Sequence, residues 1–391
     1  MFCTSLVVKV ASRCNLNCTY CYVYNKGDDS YLKQPKIMDS ITVKKLLNNV
    51  LDHCKKNDLE KFLIVFHGGE PLLTGVEFYI NFVKDYENIF QNSNKTIDFV
   101  MQTNGVLLDE NNLNILKSLN IHIGISLDGT IESNNRNRIF HNGKGSYKEI
   151  LNGFKLTKKI YGNNNANCLC VVDINHNPLE VYQHFKEIEA NDVHLLFPDN
   201  THDTNTINKG QLFDWLKVIF DLWYEDKDVQ KPKIRPFIDF IGLLLGELNY
   251  GNEMYGKRQN KTLVIETNGN IETVDTLKIC GNGFTNTNLN IFENELDDIY
   301  VENELARKYY NSHFELCKKC TMCPLEEICG GGFLGHRYSK AKGFDNTSIY
   351  CNDLAKLICY IQNKVYDNLP KDLQDKIEKL HYEDIKEFIE S

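Results

Sequence analysis

No apolar run in this chain approaches the roughly 20 residues of a membrane-spanning helix, and 44 Lys and Arg are outnumbered by 53 Asp and Glu. The first absence argues against a helical membrane protein. The second argues against a nucleic-acid partner, because neutralising phosphates needs clustered basic side chains and no basic stripe with interleaved aromatics is present. The N-terminal MFCTSLVVKV lacks the charged flank and cleavage site of a secretory signal, so the expected compartment is the cytoplasm. Internal repeats and low-complexity tails are missing as well. What remains is an ordinary globular composition, 42% hydrophobic and 25% charged, over 391 residues. That length fits a large α/β domain with an extension.

Fourteen cysteines in a reducing compartment point to metal or redox chemistry, since disulfides are rare there. They are bunched: Cys14, Cys18 and Cys21 form one group, Cys317, Cys320, Cys323 and Cys329 another, with Cys351 following. Cys3, Cys54, Cys168, Cys170 and Cys359 are scattered and read as buried small hydrophobes.

Six β-branched runs (TSLVVKV, FLIVF, TIDFVMQ, IHIGISL, NCLCVVDI and VHLLFP) alternate with amphipathic stretches through about residue 230. Strand–helix units in series imply a parallel sheet with right-handed crossovers. Six units fall short of a closed eight-fold barrel, so the expected fold is an α/β partial (β/α)6 barrel over 1–230. A bridging helical segment over 231–260 should follow, then a cysteine-rich region over 261–352 and two C-terminal helices over 353–391. LVIETNGNIETVD reads as a hairpin turning at Asn268-Gly269. In such folds functional loops lie where strands end. Here the cysteine loop, HGGEP, QTNG and SLDG follow the first four strands in turn.

Three thiolates at C-x3-C-x2-C spacing can occupy three irons of a cubane and leave the fourth open, whereas structural zinc wants a fourth ligand. In GGEP, Gly68 and Gly69 let backbone approach a ligand and Glu70 offers an acceptor to a cationic amine. Gln102, Thr103 and Asn104 sit in the third loop. Cys320, Cys323, Cys329 and Cys351 suffice for one further iron–sulfur cluster, or for zinc.

Together these motifs resemble the radical S-adenosylmethionine (SAM) enzymes, including an aromatic Tyr20 before the last cysteine. The resemblance implies that Cys14, Cys18 and Cys21 hold a [4Fe–4S] cluster whose open iron chelates SAM and cleaves it to a 5′-deoxyadenosyl radical. It also implies that Glu70 meets the SAM amine, Ser126 and Asp128 the ribose, and Arg138 the carboxylate. Asn134-Asn135 stand where related maturases carry His-Asp. The C-terminal C-x2-C-x5-C with Cys351 resembles the SPASM extension of peptide- and protein-modifying members. Phe333 replaces that pattern's next cysteine, leaving Cys280 and Cys317 to hold a second auxiliary cluster with a non-cysteine ligand.

CYVYNKGDDSY, LLFPDNTHD and CGGGFLGHRYSKAKGFDNTSIYCNDL look like SPASM maturases that close cyclophanes in ribosomal peptides. This implies a precursor-peptide substrate and a reducing partner such as flavodoxin or ferredoxin. The radical would take a β-hydrogen, and the carbon radical would add to an aromatic ring. Rearomatisation needs a base, with Asp199, His202 and Asp203 as candidates. Tyr22, Tyr24, Asp28 and Asp29 should order the cluster loop, and His336 and Arg337 brace the cysteine-rich one. Other SPASM reactions on peptide or protein (thioether formation, epimerisation, oxidation of Ser or Cys to formylglycine) are the alternatives. A metal-binding scaffold without catalysis leaves the placement of the motifs on successive strand ends unexplained. The chain starts almost at its first strand, so a precursor is expected to dock on the catalytic chain itself, as an added β-strand.

Overall fold

A computed structural model describes residues 1–247, 249–375 and 378–390. The six expected strands are present as β1 (Ser5–Ala11), β2 (Lys61–Gly68), β3 (Thr96–Thr103), β4 (Ile121–Ser126), β5 (Asn167–Val171) and β6 (Asp192–Leu196). All pair in parallel with their sequence neighbours. Helices intervene throughout, from Ser40–Lys56 after β1 to Gln211–Glu225 after β6.

Alternation along each strand builds the site. One face buries Leu6, Val8, Val10, Ile64, Phe66, Phe99, Met101, Ile123 and Ile125 in the core. The other face sends Val7, Gln102, Ser126, Leu169 and His194 into one cavity, because successive side chains of a strand point to opposite sides. Among the described residues no helix is long and apolar enough to cross a membrane.

The region after residue 230 is not a separate layer. Four more strands join the same sheet: β7 (Lys233–Ile234), β8 (Thr262–Ile265), β9 (Asn270–Glu272) and β10 (Asn286–Asn290), in the order β10-β9-β8-β1-β2-β3-β4-β5-β6-β7. β8 pairs in parallel with β1, so the hairpin of β8 and β9 extends the barrel sheet beside its first strand. The turn holds only Gly269 at positive φ, with Gly269 N donating to Glu266 O (2.8 Å).

Two further departures are local. A short helix, Ile131–Asn137, lies between β4 and the next long helix and ends at Arg138. The expected last helix is split into Lys371–Gln374 and Tyr382–Glu390, with part of the intervening stretch outside the described residues.

Candidate active site

A cavity of about 550 Å³ opens over the cavity-facing side of β1–β6, within the roughly 300–1,000 Å³ of small-molecule sites. Cys14, Cys18 and Cys21 line it with Tyr20, Gly68, Gly69, Gln102, Thr103, Asn104, Ser126 and Arg138. The loop after β1 therefore meets the loops after β2, β3 and β4 around one space. All three thiols are free. Burial pushes Cys14 up to about 12 and Cys18 to about 11, and raises Cys21.

Gly68 and Gly69 are required by the protein's own packing. A Cβ on Gly68 would lie 2.0 Å from Ala11 O, and one on Gly69 2.0 Å from the Tyr24 hydroxyl and 2.2 Å from Arg13 O. Their smallness seats the β2 loop against the cysteine loop at the cavity wall. Glu70 is fully buried. It accepts from Leu72 N (3.1 Å), Thr103 Oγ1 (2.7 Å) and Asn104 N (2.8 Å). Burial outweighs these bonds and raises its pKa to about 7. In this arrangement Glu70 ties the second loop to the third.

Asp128, 1% exposed, is committed likewise: it accepts from the Tyr20 hydroxyl (2.5 Å), Arg138 Nε (3.0 Å) and Val171 N (3.0 Å). It holds Arg138, whose guanidinium carbon lies 5.5 Å from the Tyr20 ring centroid, at the cavity wall. Gln102 donates to Ser126 Oγ (2.9 Å), and Asn104 to Asn15 Oδ1 (2.7 Å).

Of the three candidate bases only Asp199 reaches the cavity. Burial lifts its pKa to about 7, with Glu253 adding to the rise and Lys26 opposing it. His202 and Asp203 are exposed. His202 pairs its ring with Thr347 O (2.8 Å), and Asp203 accepts from Lys340 N (2.8 Å). They fasten the loop after β6 to residues 338–347 and do not line the cavity. No motif marks Glu253, a cavity residue in an irregular stretch that accepts from the Tyr309 hydroxyl (2.8 Å). Lys9 was visible as the lone charge in SLVVKVA, and His67 as the residue before GGEP.

The remaining cysteines divide differently from expectation. Cys320 is acted on by Cys317, Cys329 and Cys351, and Cys351 by Cys323 and Cys317. The four expected ligands and Cys317 thus form one group. Cys280 instead feels Asp203. Cys317 thus sits with the C-terminal thiols and Cys280 beside Asp203. Gly330, Gly331 and Gly332, all at positive φ, wrap the buried Arg337 guanidinium. It donates to all three of their carbonyls and to Ser312 O at 2.7–2.9 Å. Only residues without a Cβ penalty adopt three such angles in a row cheaply, and Arg337 braces the cysteine-rich loop as expected.

Residues 8–188 match the Radical SAM superfamily. The protein is a radical SAM enzyme. It is 27% identical over 364 residues to a cysteine-type anaerobic sulfatase-maturating enzyme of Clostridium novyi, covering 89% of this chain and 92% of that one. A serine-type enzyme of Bacteroides thetaiotaomicron is 26% identical, over 86% and 83% of the two chains. The structure of native anSMEcpe with bound AdoMet superposes with a TM-score of 0.78 at 25% identity, over 93% of this chain and 100% of the other. Streptococcus suis SuiB bound to precursor peptide SuiA shares the fold, with TM-score 0.58, 19% identity and coverage of 89% and 75%.

A radical SAM enzyme uses a [4Fe–4S] cluster and SAM, and the donor set fits both. Three free thiols on one wall suit three irons, and Arg138 at the same wall suits a carboxylate. The single C-terminal group suits one auxiliary cluster. Anaerobically assembled protein is accordingly expected to hold about eight irons per chain, and Cys280→Ser to leave that count unchanged by iron and sulfide analysis.

Proposed function

We propose that this radical SAM enzyme is a maturase that oxidises a side chain within a peptide or protein, starting at a β-carbon. The observation that carries this reading is one cavity with three cysteine thiols on its wall together with the carboxyl of Asp199, which has no hydrogen-bond partner among the described residues. The relatives support it: they are named as sulfatase-maturating enzymes, and anSMEcpe has been solved with AdoMet and a Kp18Cys peptide together. Oxidation of a Cys or Ser side chain to the aldehyde of formylglycine is the finer reading they favour.

When bound, the cluster and SAM would supply a 5′-deoxyadenosyl radical, and the auxiliary cluster an acceptor for one electron. The substrate then loses, in balance, a hydrogen atom, an electron and a proton, which leaves a Ser side chain as the aldehyde and a Cys side chain as a thioaldehyde that water hydrolyses to the aldehyde with release of hydrogen sulfide. In this chain Arg138, held by Asp128 and Tyr20, orients the SAM carboxylate. Apolar Leu169, Val171, Leu196 and Phe197 line the same cavity and limit water around the reacting carbon. Asp199 accepts the proton.

Cyclophane closure is the second reading. The three segments that carry its resemblance lie against one another: Lys26 donates to Asn200 Oδ1 (3.2 Å), the Tyr350 hydroxyl to Pro198 O (2.9 Å) and His202 N to Tyr338 O (2.9 Å). Mass spectrometry of peptides incubated with the reduced enzyme and SAM separates the two. A product trapped by an aldehyde reagent supports the first, and loss of a hydrogen pair without an aldehyde the second. Steady 5′-deoxyadenosine formation with every Cys, Ser and aromatic peptide unchanged would overturn both.

A further inference from the structure

Lys9 lies in mid-β1 and is 3% exposed. Its ammonium pairs with Asp275 and lies 3.3 Å from His67 Nδ1. It also sits 5.7 Å from the Tyr22 ring centroid, and the Tyr22 hydroxyl donates to Asp275 Oδ2 (3.0 Å). Four elements meet at this charge. Lys9 comes from the central strand, His67 precedes Gly68-Gly69, Tyr22 follows Cys21, and Asp275 opens the Asp275–Cys280 turn of the C-terminal region. Tyr22, His67 and Asp275 also line the cavity.

Folding does not explain the pair. A buried ion pair often stabilises a protein no more than apolar residues of the same volume would, and β1 is otherwise apolar around Lys9. Nor is the charge spread over His67, which burial and the neighbouring ammonium depress to about 4 and keep neutral. Asp275 stays ionised: burial alone would raise it, but the Lys9 ammonium brings it down to about 2. Two opposite full charges are therefore fixed in a low-dielectric setting beside the last cysteine of the loop, where charges act far more strongly than in water.

We propose that the Lys9–Asp275 pair sets the reduction potential of the cluster at Cys14, Cys18 and Cys21, with Lys9 favouring the reduced form and Asp275 opposing it. Cluster potentials follow local net charge and hydrogen bonding, and the reduced cluster carries one more negative charge. Lys9 is thus a positioning and tuning residue that never touches substrate. The inference rests on those three cysteines being the ligands.

The test is an anaerobic redox titration of the full-length, cluster-loaded enzyme followed by electron paramagnetic resonance. Cys18→Ala identifies the signal of this cluster. If Cys18→Ala leaves every signal in place, the ligand assignment fails, and the tuning proposal with it. With the signal assigned, Lys9→Met is expected to move its midpoint to lower potential and Asp275→Asn to higher, while Lys9→Arg stays near wild type. Opposite directions are the discriminating result, because a merely structural role moves both variants the same way or neither. Equal displacement in Lys9→Met and Lys9→Arg, or no displacement in Asp275→Asn, overturns the proposal. Should Lys9→Met fail to fold, the near-isosteric Asp275→Asn decides: an upward shift supports the proposal, and a downward or absent one overturns it.

Discussion

Cys18→Ala is expected to abolish 5′-deoxyadenosine formation and to remove about four irons per chain. The loop after β1 supplies three thiols and no fourth, and among the described residues no other cysteine lines the same cavity. Removing one leaves two donors for a cubane that already lacks a protein ligand at its open iron. The C-terminal group is untouched by this change, so about half the iron and its absorbance should persist. Cys329→Ala provides the contrast. It should lose the other half of the iron and product formation while leaving SAM cleavage in place, because Cys329 sits in the C-terminal group with Cys323 and Cys351. Iron analysis with chromatography of SAM products checks both variants. Full SAM cleavage by Cys18→Ala would end the assignment of the N-terminal cysteines.

Asp199→Asn is expected to lower product formation by about 10²–10⁴-fold while 5′-deoxyadenosine still forms. The base acts after hydrogen abstraction, so its loss separates cosubstrate cleavage from substrate oxidation. The pH dependence follows from its environment. Burial, then the Glu253 carboxyl, raises Asp199 to about 7, so the carboxyl is protonated below that value and unable to accept a proton. Product formation should climb as pH rises through about 7 and level off above it, and Asp199→Asn should flatten that limb. Glu253, itself raised to about 7 by burial, is a like charge for Asp199. Glu253→Gln should therefore shift the rising limb to lower pH. The ratio of product to 5′-deoxyadenosine across pH measures all of this, and a ratio unchanged in Asp199→Asn would remove Asp199 from the chemistry.

Reading the sequence went furthest where chemistry depends on local spacing. Three cysteines within eight residues reach one cavity wall because a single short loop carries them. GGEP, QTNG and SLDG meet them because parallel strands deliver consecutive loops to the same sheet end. Local spacing says nothing about which atom of a motif residue is left over after folding. The carboxylates of Glu70 and Asp128 each accept from neighbouring loops and side chains, which spacing does not show. The same limit applies to His202 and Asp203: they follow β6 as Asp199 does, but the chain turns and ties them to residues 338–347.

What the sequence by itself determined is the alternation of strands and helices, the parallel sheet and the cysteine-bearing loop at its active end. Each of these follows from periodicity and from donors close along the chain. Only the tertiary structure decided that β8 lies beside β1, that Cys317 joins the four C-terminal thiols while Cys280 stays apart, and that Lys9 meets an aspartate 266 positions later. Those contacts join segments far apart in the chain. Their partners are chosen by burial, by shape and by the cost of an unpaired charge in the interior, and none of these can be read from neighbours in sequence.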